Sequence, residues 1–351
     1  MTSLLEKGGG EFEGIKLLLC ENPLPPIEEA IAAAQTEVPR SNYYTEAYSA
    51  PLRRLIAQQL GVPERLIHIN AGSELILRQL FDRFGQRVHL LTPTYALFPE
   101  IAQRYTETRL LPEKDFGFDL AGLAIPEGTT LTVIVNPNNP SGGTFDMAPL
   151  PGLLRRHTET PFLVDEAFIG LGGQSVAHLV PEHRNLLVTR TLSKAHSLAG
   201  FRVGYAVLPQ PIADDLNGRN DAYPLARPSE AAAIATLQHE NKIRARTMQL
   251  RTWTLDLAAR LRALGLRTFP TETYFFLADL APHNAAQVAE ALKTRGVLVK
   301  QLNDPILGDG FMRVTTAQPE DNVRFIEALK DVLKSASLNS SQQPPPLKRR
   351  G

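Results

Sequence analysis

Short runs of Leu, Ile and Val recur along the chain, and most end abruptly in a polar or Gly/Pro-rich cluster. Runs at 66–70, 88–91, 131–135, 162–164, 186–188 and 203–207 predict strands. The run at 131–135 is almost wholly Leu and β-branched residues, the composition of a strand buried on both faces. Between the runs, apolar residues take helical spacing. This predicts helices at 27–38, at 47–60 where Gly61 stops it, from an opening at 71–74 to about Phe84, and from about Leu97. Strand and helix in alternation predict a doubly wound, mostly parallel α/β sheet, whose sites lie at the carboxyl ends of its strands.

After Pro228 the pattern changes. A long charged helical stretch at 229–264 is followed by a strand at 274–277, a helix at 286–295, strands at 297–300 and 311–315, and a last helix at 320–333. These predict a smaller α+β domain. The expected organisation is an N-terminal arm and helix at 1–40, a large domain at 41–240, a small C-terminal domain at 241–334 and a tail at 335–351. The tail is low in complexity and is expected to be disordered, as is the Gly/Glu-rich start at 1–14.

Composition narrows the function. Lys+Arg and Asp+Glu both number 37, so the formal charge is zero and nothing favours nucleic acid or an anionic membrane. A single cysteine, Cys20, excludes an internal disulfide and a cysteine-built zinc site. The 8 histidines show no metal-ligand spacing, so no metal is expected. No apolar run reaches the length of a membrane span, and the N-terminus lacks a basic-then-apolar signal pattern. A cytoplasmic protein is the expectation.

The polar clusters then carry the chemistry. Lys194 lies in a turn between two strand-like runs, with hydroxyls at Thr191 and Ser193 and a guanidinium at Arg202. A lysine held there suits carbonyl chemistry, and hydroxyls with an arginine suit a phosphate. Alone, the same lysine also reads as a solvated loop residue. Gly72 and Ser73 open a helix, a place for an anion, although Ser73 also reads as a plain helix cap.

Four motifs stand in order. They are Asn136-Pro137-Asn138-Asn139-Pro140-Ser141-Gly142, Val164-Asp165-Glu166-Ala167-Phe168, Thr191-Leu192-Ser193-Lys194 with Arg202 beyond it, and Met312-Arg313-Val314-Thr315. Together they resemble the fold-type I pyridoxal-phosphate enzymes of the class I/II aminotransferase superfamily, and within it the histidinol-phosphate aminotransferase branch. The resemblance spans 17–333. It implies a mostly parallel central sheet flanked by helices, a smaller α+β domain, pyridoxal 5'-phosphate as cofactor, and amino-acid and 2-oxo-acid substrates.

Site residues follow from the resemblance. Lys194 bonds the cofactor and moves the proton at the substrate Cα. Asp165 pairs with the ring nitrogen, Asn139 donates to the phenolic oxygen, and Tyr95 stacks on the ring. Gly72, Ser73, Thr191, Ser193 and Arg202 hold the phosphate. Tyr44 matches a tyrosine that reaches across a homodimer with shared sites. Arg313 clamps a substrate carboxylate, with Asn22 and Lys300 also on the substrate side. Phe168 stands where the family usually has a tyrosine, and Lys300 where it has an arginine. The N-terminal arm is also short.

The expected activity is transamination by ping-pong half-reactions. A threonine-phosphate decarboxylase-like lyase is the alternative, favoured by Phe168. A non-catalytic regulator on this fold is the reading from another class, and the presence of Lys194 argues against it.

Overall fold

The computed structural model describes residues 12–302, 304 and 307–341. The chain divides into two compact units. The larger is Glu21–Thr252 with Pro270–Tyr274; the smaller takes the described residues up to Cys20, Trp253–Phe269 and the described residues from Phe275 on. The chain enters on a two-residue strand, β1 (Ile15–Lys16), which belongs to the smaller unit.

The larger unit is built on one seven-stranded sheet. Its strands are β2 (Ile67–Asn70), β3 (Val88–Thr92), β4 (Tyr105–Arg109), β5 (Leu131–Val135), β6 (Phe162–Asp165), β7 (Leu186–Thr191) and β8 (Gly204–Val207). They lie in the order β2-β8-β7-β6-β5-β3-β4. Neighbours from β4 to β7 run parallel, and β8 is antiparallel to both β2 and β7. The sheet is therefore mostly parallel, as the alternation of elements predicted. Helices α1 (Glu28–Glu37), α2 (Ala50–Leu60), α3 (Ser73–Phe84), α4 (Leu97–Ile101), α5 (Leu150–Arg156), α6 (Gln210–Arg219) and α7 (Arg227–Gln238) complete it, followed by α8 (Glu240–Ala263).

α3 shows how sequence sets position. Gly72 sits at φ 92°, a conformation no helix continues through, so the helix starts one residue later. Ile76, Leu77, Leu80 and Phe81 make one buried stripe that packs against Leu90, Leu131, Val133, Leu163 and Leu187 of the sheet. Each such side chain stabilises the contact by about 1.5–3 kcal/mol relative to exposure. Gly85 ends the helix, donating its N–H to the Phe81 carbonyl at 2.7 Å.

Several elements differ from the sequence reading. β4 is an exposed edge strand of Tyr-Thr-Glu-Thr-Arg, and its polar composition hid it. α5 and α6 were not expected. β7 runs on past Val188 to Thr191, delivering its end to the polar turn. The stretch 229–264 is two helices, broken at His239 (φ −119°), whose Nδ1 lies 2.8 Å from the Ala235 carbonyl oxygen. The last helix, α10 (Pro319–Ser341), continues well beyond Leu333. Of the stretches expected to be disordered, 1–14 and 335–351, residues 335–341 instead continue α10, and 1–11 and 342–351 lie outside the described residues. Among the described residues, no helix is long and apolar enough to cross a membrane.

In the smaller unit, β10 (Phe275–Asp279) pairs antiparallel with β9 (Arg267–Thr268) and β13 (Phe311–Thr315). The expected strand at 297–300 is two pieces. β11 (Val297–Leu298) pairs with β1, and β12 (Lys300–Gln301) pairs with β13. Alternation sends Phe276, Ala278, Met312 and Val314 into a core with Leu257 and Leu261 of α8, Val288 and Leu292 of α9 (Ala285–Lys293), and Phe325 and Leu329 of α10. Phe275, Leu277, Arg313 and Thr315 take the opposite face.

Residues 270–274 belong with the larger unit although β9 and β10 flank them. The Glu272 N–H donates to the Gly142 carbonyl at 2.7 Å. Arg251 grips the Glu272 carboxylate with two bonds, at 2.7 and 3.2 Å.

Candidate active site

The parallel strands β3, β5, β6 and β7 all end at one edge of the sheet, and the antiparallel β8 begins there. Gly204, the first residue of β8, lies opposite both Thr191 and Asn70, the last residues of β7 and β2. Most of the predicted cofactor residues therefore arrive together: Gly72 and Ser73 after β2, Tyr95 after β3, Asn139 after β5, Asp165 at the end of β6, Lys194 after β7, and Arg202 before β8.

Asp165 is 3% exposed. Its Oδ1 accepts from Thr189 Oγ1 at 3.1 Å and from the Ala167 N–H at 3.2 Å. Among the described residues no hydrogen bond reaches Oδ2. Burial pushes this carboxyl up from 3.8 to about 6, against the pull of those two donors. The neighbouring Glu166 adds to the rise, and the Lys194 charge opposes it.

Lys194 is half-buried. Its Nζ lies 5.6 Å from the centre of the Phe168 ring, within cation–π range. Phe168 is buried and meets the ring edge of Tyr274 at 6.1 Å. Asn22 donates to the Lys194 carbonyl at 2.9 Å, and its Oδ1 accepts the Leu24 N–H at 3.0 Å. The proline-punctuated arm thus ties down the lysine loop.

The anion side is compact. Thr191 Oγ1 accepts the Ser193 N–H at 3.1 Å and lies 2.9 Å from Ser193 Oγ. Arg202, exposed and in the left-handed region at φ 55°, lays its guanidinium against Gly72; a methyl group on Gly72 would collide with Nη2. A methyl on Gly204 would collide with the Ser73 backbone nitrogen. So two glycines let a strand start, a helix start and a guanidinium meet. Because Gly72 takes the capping position, Ser73 is the first helical residue and does not cap α3. The helix N-terminus stays available to an anion.

Asn139 is buried in a loop braced by Asn138, whose Nδ2 donates to Ser141 Oγ at 2.9 Å and to the Pro93 carbonyl at 3.3 Å. Tyr95 is half-buried and meets Phe98 edge-on at 5.8 Å. Tyr44 stands apart. It is 76% exposed and stacks on Tyr223 at 4.3 Å. The sequence reading missed the buried pair Glu166–Arg190, at 2.7 Å. Its signal was an arginine between two threonines, two residues past the apolar run at 186–188.

In the smaller unit Arg313 is 9% exposed, donates through Nη2 to the Leu18 carbonyl at 2.6 Å, and lies 5.5 Å from the Phe275 ring centre. Lys300 lies directly opposite Arg313 in the ladder, so both cations share one face.

Residues 14–329 match the family described as aminotransferase class I and II. A histidinol-phosphate aminotransferase of Symbiobacterium thermophilum is 34% identical over 336 residues, 92% of this chain and 92% of that protein. Histidinol-phosphate aminotransferase 1 of Pseudomonas aeruginosa is 31% identical, covering 90% and 92%. Among solved structures, histidinol-phosphate aminotransferase from Sinorhizobium meliloti, in complex with pyridoxal-5'-phosphate, has TM-score 0.86 at 21% identity and covers 95% of this chain and 94% of that one. L-threonine-O-3-phosphate decarboxylase from Porphyromonas gingivalis has TM-score 0.81 at 21% identity and covers 91% and 99%. At these identities the solved structures speak for the fold alone.

Proposed function

The chain belongs to the aminotransferase class I and II family, and on that footing we propose that it is a pyridoxal-phosphate-dependent transaminase. Its substrates on this reading are an amino compound of the histidinol-phosphate type and a 2-oxo acid. The observation that carries it is Asp165: a buried carboxylate at a strand end, with Oδ2 unbonded among the described residues, on the same sheet edge as Lys194 and the anion cradle. An acceptor so placed suits a ring nitrogen that bears a proton. The cradle suits a phosphate. These are the groups a pyridoxal cofactor presents, so the residues fit it.

When bound, that group supplies an electron sink for charge developing at a substrate Cα. The chain supplies the rest. Asp165 holds the nitrogen's proton. Arg202 gives the phosphate its counter-charge, and the N-terminal N–H groups of α3, with Thr191 and Ser193, position it. Asn139 and Tyr95 would hold the ring by its oxygen and its face. Lys194 would hold the cofactor and, as a free amine, would carry the proton at Cα. Arg313 and Lys300 would bind the substrate's anions, and Asn22 is a further substrate-side residue on this reading.

We also infer a cytoplasmic homodimer with shared sites. The exposed Tyr44, free to meet a second subunit, supports the sharing. A decarboxylase is the second reading, because Phe168 gives no phenol where the family usually has one.

The test mixes the cofactor-loaded enzyme with glutamate, histidinol phosphate or O-phosphothreonine and no acceptor. Stoichiometric conversion of the cofactor to its amine form without CO₂ is expected with one of the first two. Release of CO₂ from O-phosphothreonine, with the cofactor spectrum restored, would assign the lyase instead. Lys194→Ala is expected to abolish turnover while leaving the fold intact.

A further inference from the structure

Asp165 and Glu166 are adjacent anions at the end of β6, and the pleat sends them to opposite faces of the sheet. On one face Asp165 lies across from Thr189 of β7. On the other, Glu166 meets Arg190, the next residue of β7, and Arg190 lies across from Tyr205 of β8. Glu166 is 1% exposed. Its Oε2 accepts from Arg190 Nε at 2.7 Å and from Ser175 Oγ at 2.8 Å, and its Oε1 accepts the Val176 N–H at 2.7 Å. Arg190 also donates to the Tyr205 hydroxyl at 3.3 Å and, through Nη2, to Ser175 Oγ.

None of these groups is needed to hold a phosphate, a ring or a substrate. Stability alone is a weak reason for such a pair, since an apolar cluster of the same volume often serves as well. Its neighbour supplies a better reason. Asp165 has to remain anionic in a buried place, and a second carboxylate one residue away works against that unless it is neutralised. The charged groups that act on Asp165 are Glu166, the next residue along the chain, and Lys194 on the loop after β7; Thr189 adds a hydrogen bond. Those facing Glu166 are Arg190 and, through it, Tyr205.

We propose that Arg190 is a positioning residue of the site: paired with Glu166 on the far face of the sheet, it keeps Asp165 ionised and its Oδ2 available. This rests on the reading of Asp165 as the acceptor for the cofactor nitrogen. Arg190 touches neither cofactor nor substrate and acts through Glu166.

The test reads where Asp165 titrates. Apoprotein melting temperatures are compared across pH with and without D165N, in the wild-type, R190M and E166Q backgrounds. The gap starts to widen at the unfolded carboxyl's pH in every background, and the pH at which it stops widening is expected to rise by about one unit in R190M and to fall in E166Q, where Arg190 is left in excess. The double variant E166Q/R190M should return it to the wild-type position. Pyridoxal-phosphate affinity should follow, R190M losing about tenfold more near pH 6 than near pH 8. A gap that stops widening at one pH in every background, or affinity lost equally at all pH, overturns the proposal and leaves a merely structural pair. If R190M does not fold, the E166Q shift decides alone. If the wild-type protein takes up no pyridoxal phosphate, the functional reading fails, while the melting comparison still judges Arg190.

Discussion

Asp165 is the residue whose cost and use are easiest to separate. In the unfolded chain its carboxyl releases a proton near pH 3.8, whereas in the fold it keeps the proton up to about 6. Because the folded value is the higher one, stability falls as pH rises between those limits, and the penalty is complete above them. It amounts to roughly 3 kcal/mol. Asp165→Asn, which keeps an acceptor for Thr189 and Ala167, is therefore expected to raise the apoprotein melting temperature at pH 8 and to change little near pH 4, while weakening cofactor binding. Thermal melts at the two pH values check this. A second contrast concerns glycines. Gly61 has φ 66° and open space around it, so Gly61→Ala costs only backbone strain, about 1 kcal/mol. Gly204→Ala drives a methyl into the Ser73 backbone, and both stability and phosphate affinity should drop further. Denaturant unfolding ranks the two. At this scale the sequence made Lys194, Asp165 and Arg202 legible because each motif holds its chemistry within a few residues. It hid the Glu166–Arg190 pair because adjacent letters do not reveal opposite faces, and the partner lies on another strand.

Among elements, the apolar runs were legible wherever burial on both faces left little polar interruption, as in β5, with Thr132 alone, and in β6 up to Asp165. Legibility failed at β4, where an edge strand keeps solvent on its flanks and alternates Thr with charge. It failed again at β11 and β12, where one run is divided between two partners. That division is what sets Lys300 directly across from Arg313. Like charges opposite each other in a ladder destabilise it, by about 0.2–1 kcal/mol. Lys300→Ala should thus leave stability unchanged or slightly improved, yet raise KM selectively for substrates with a second anionic group. Glutamate kinetics alongside provide the control. Arg313→Ala should destabilise by about 1–3 kcal/mol, since the Leu18 carbonyl loses its donor in a buried place. Melting of the two variants checks the contrast.

For the whole molecule, zero net charge from 37 cations and 37 anions leaves substrate recognition to local groups rather than to a long-range field. If Tyr44 completes the site of a second subunit, then mixing Lys194→Ala with Tyr44→Ala subunits rebuilds one intact site in each mixed dimer. Activity should then exceed that of either parent and approach about a quarter of wild type under random assortment. Assay after co-refolding measures it, and no gain would mean that Tyr44 works within its own chain or not at all. The order in which the chain is made also matters. The loop that carries Asn139 is braced by Glu272, far downstream, and β1 waits for β11 near the other end. Neither unit is complete until most of the polypeptide has left the ribosome. A nascent chain just long enough to display Lys194 is still without the 270–274 segment, so the loop that carries Asn139 gains that brace only later in synthesis.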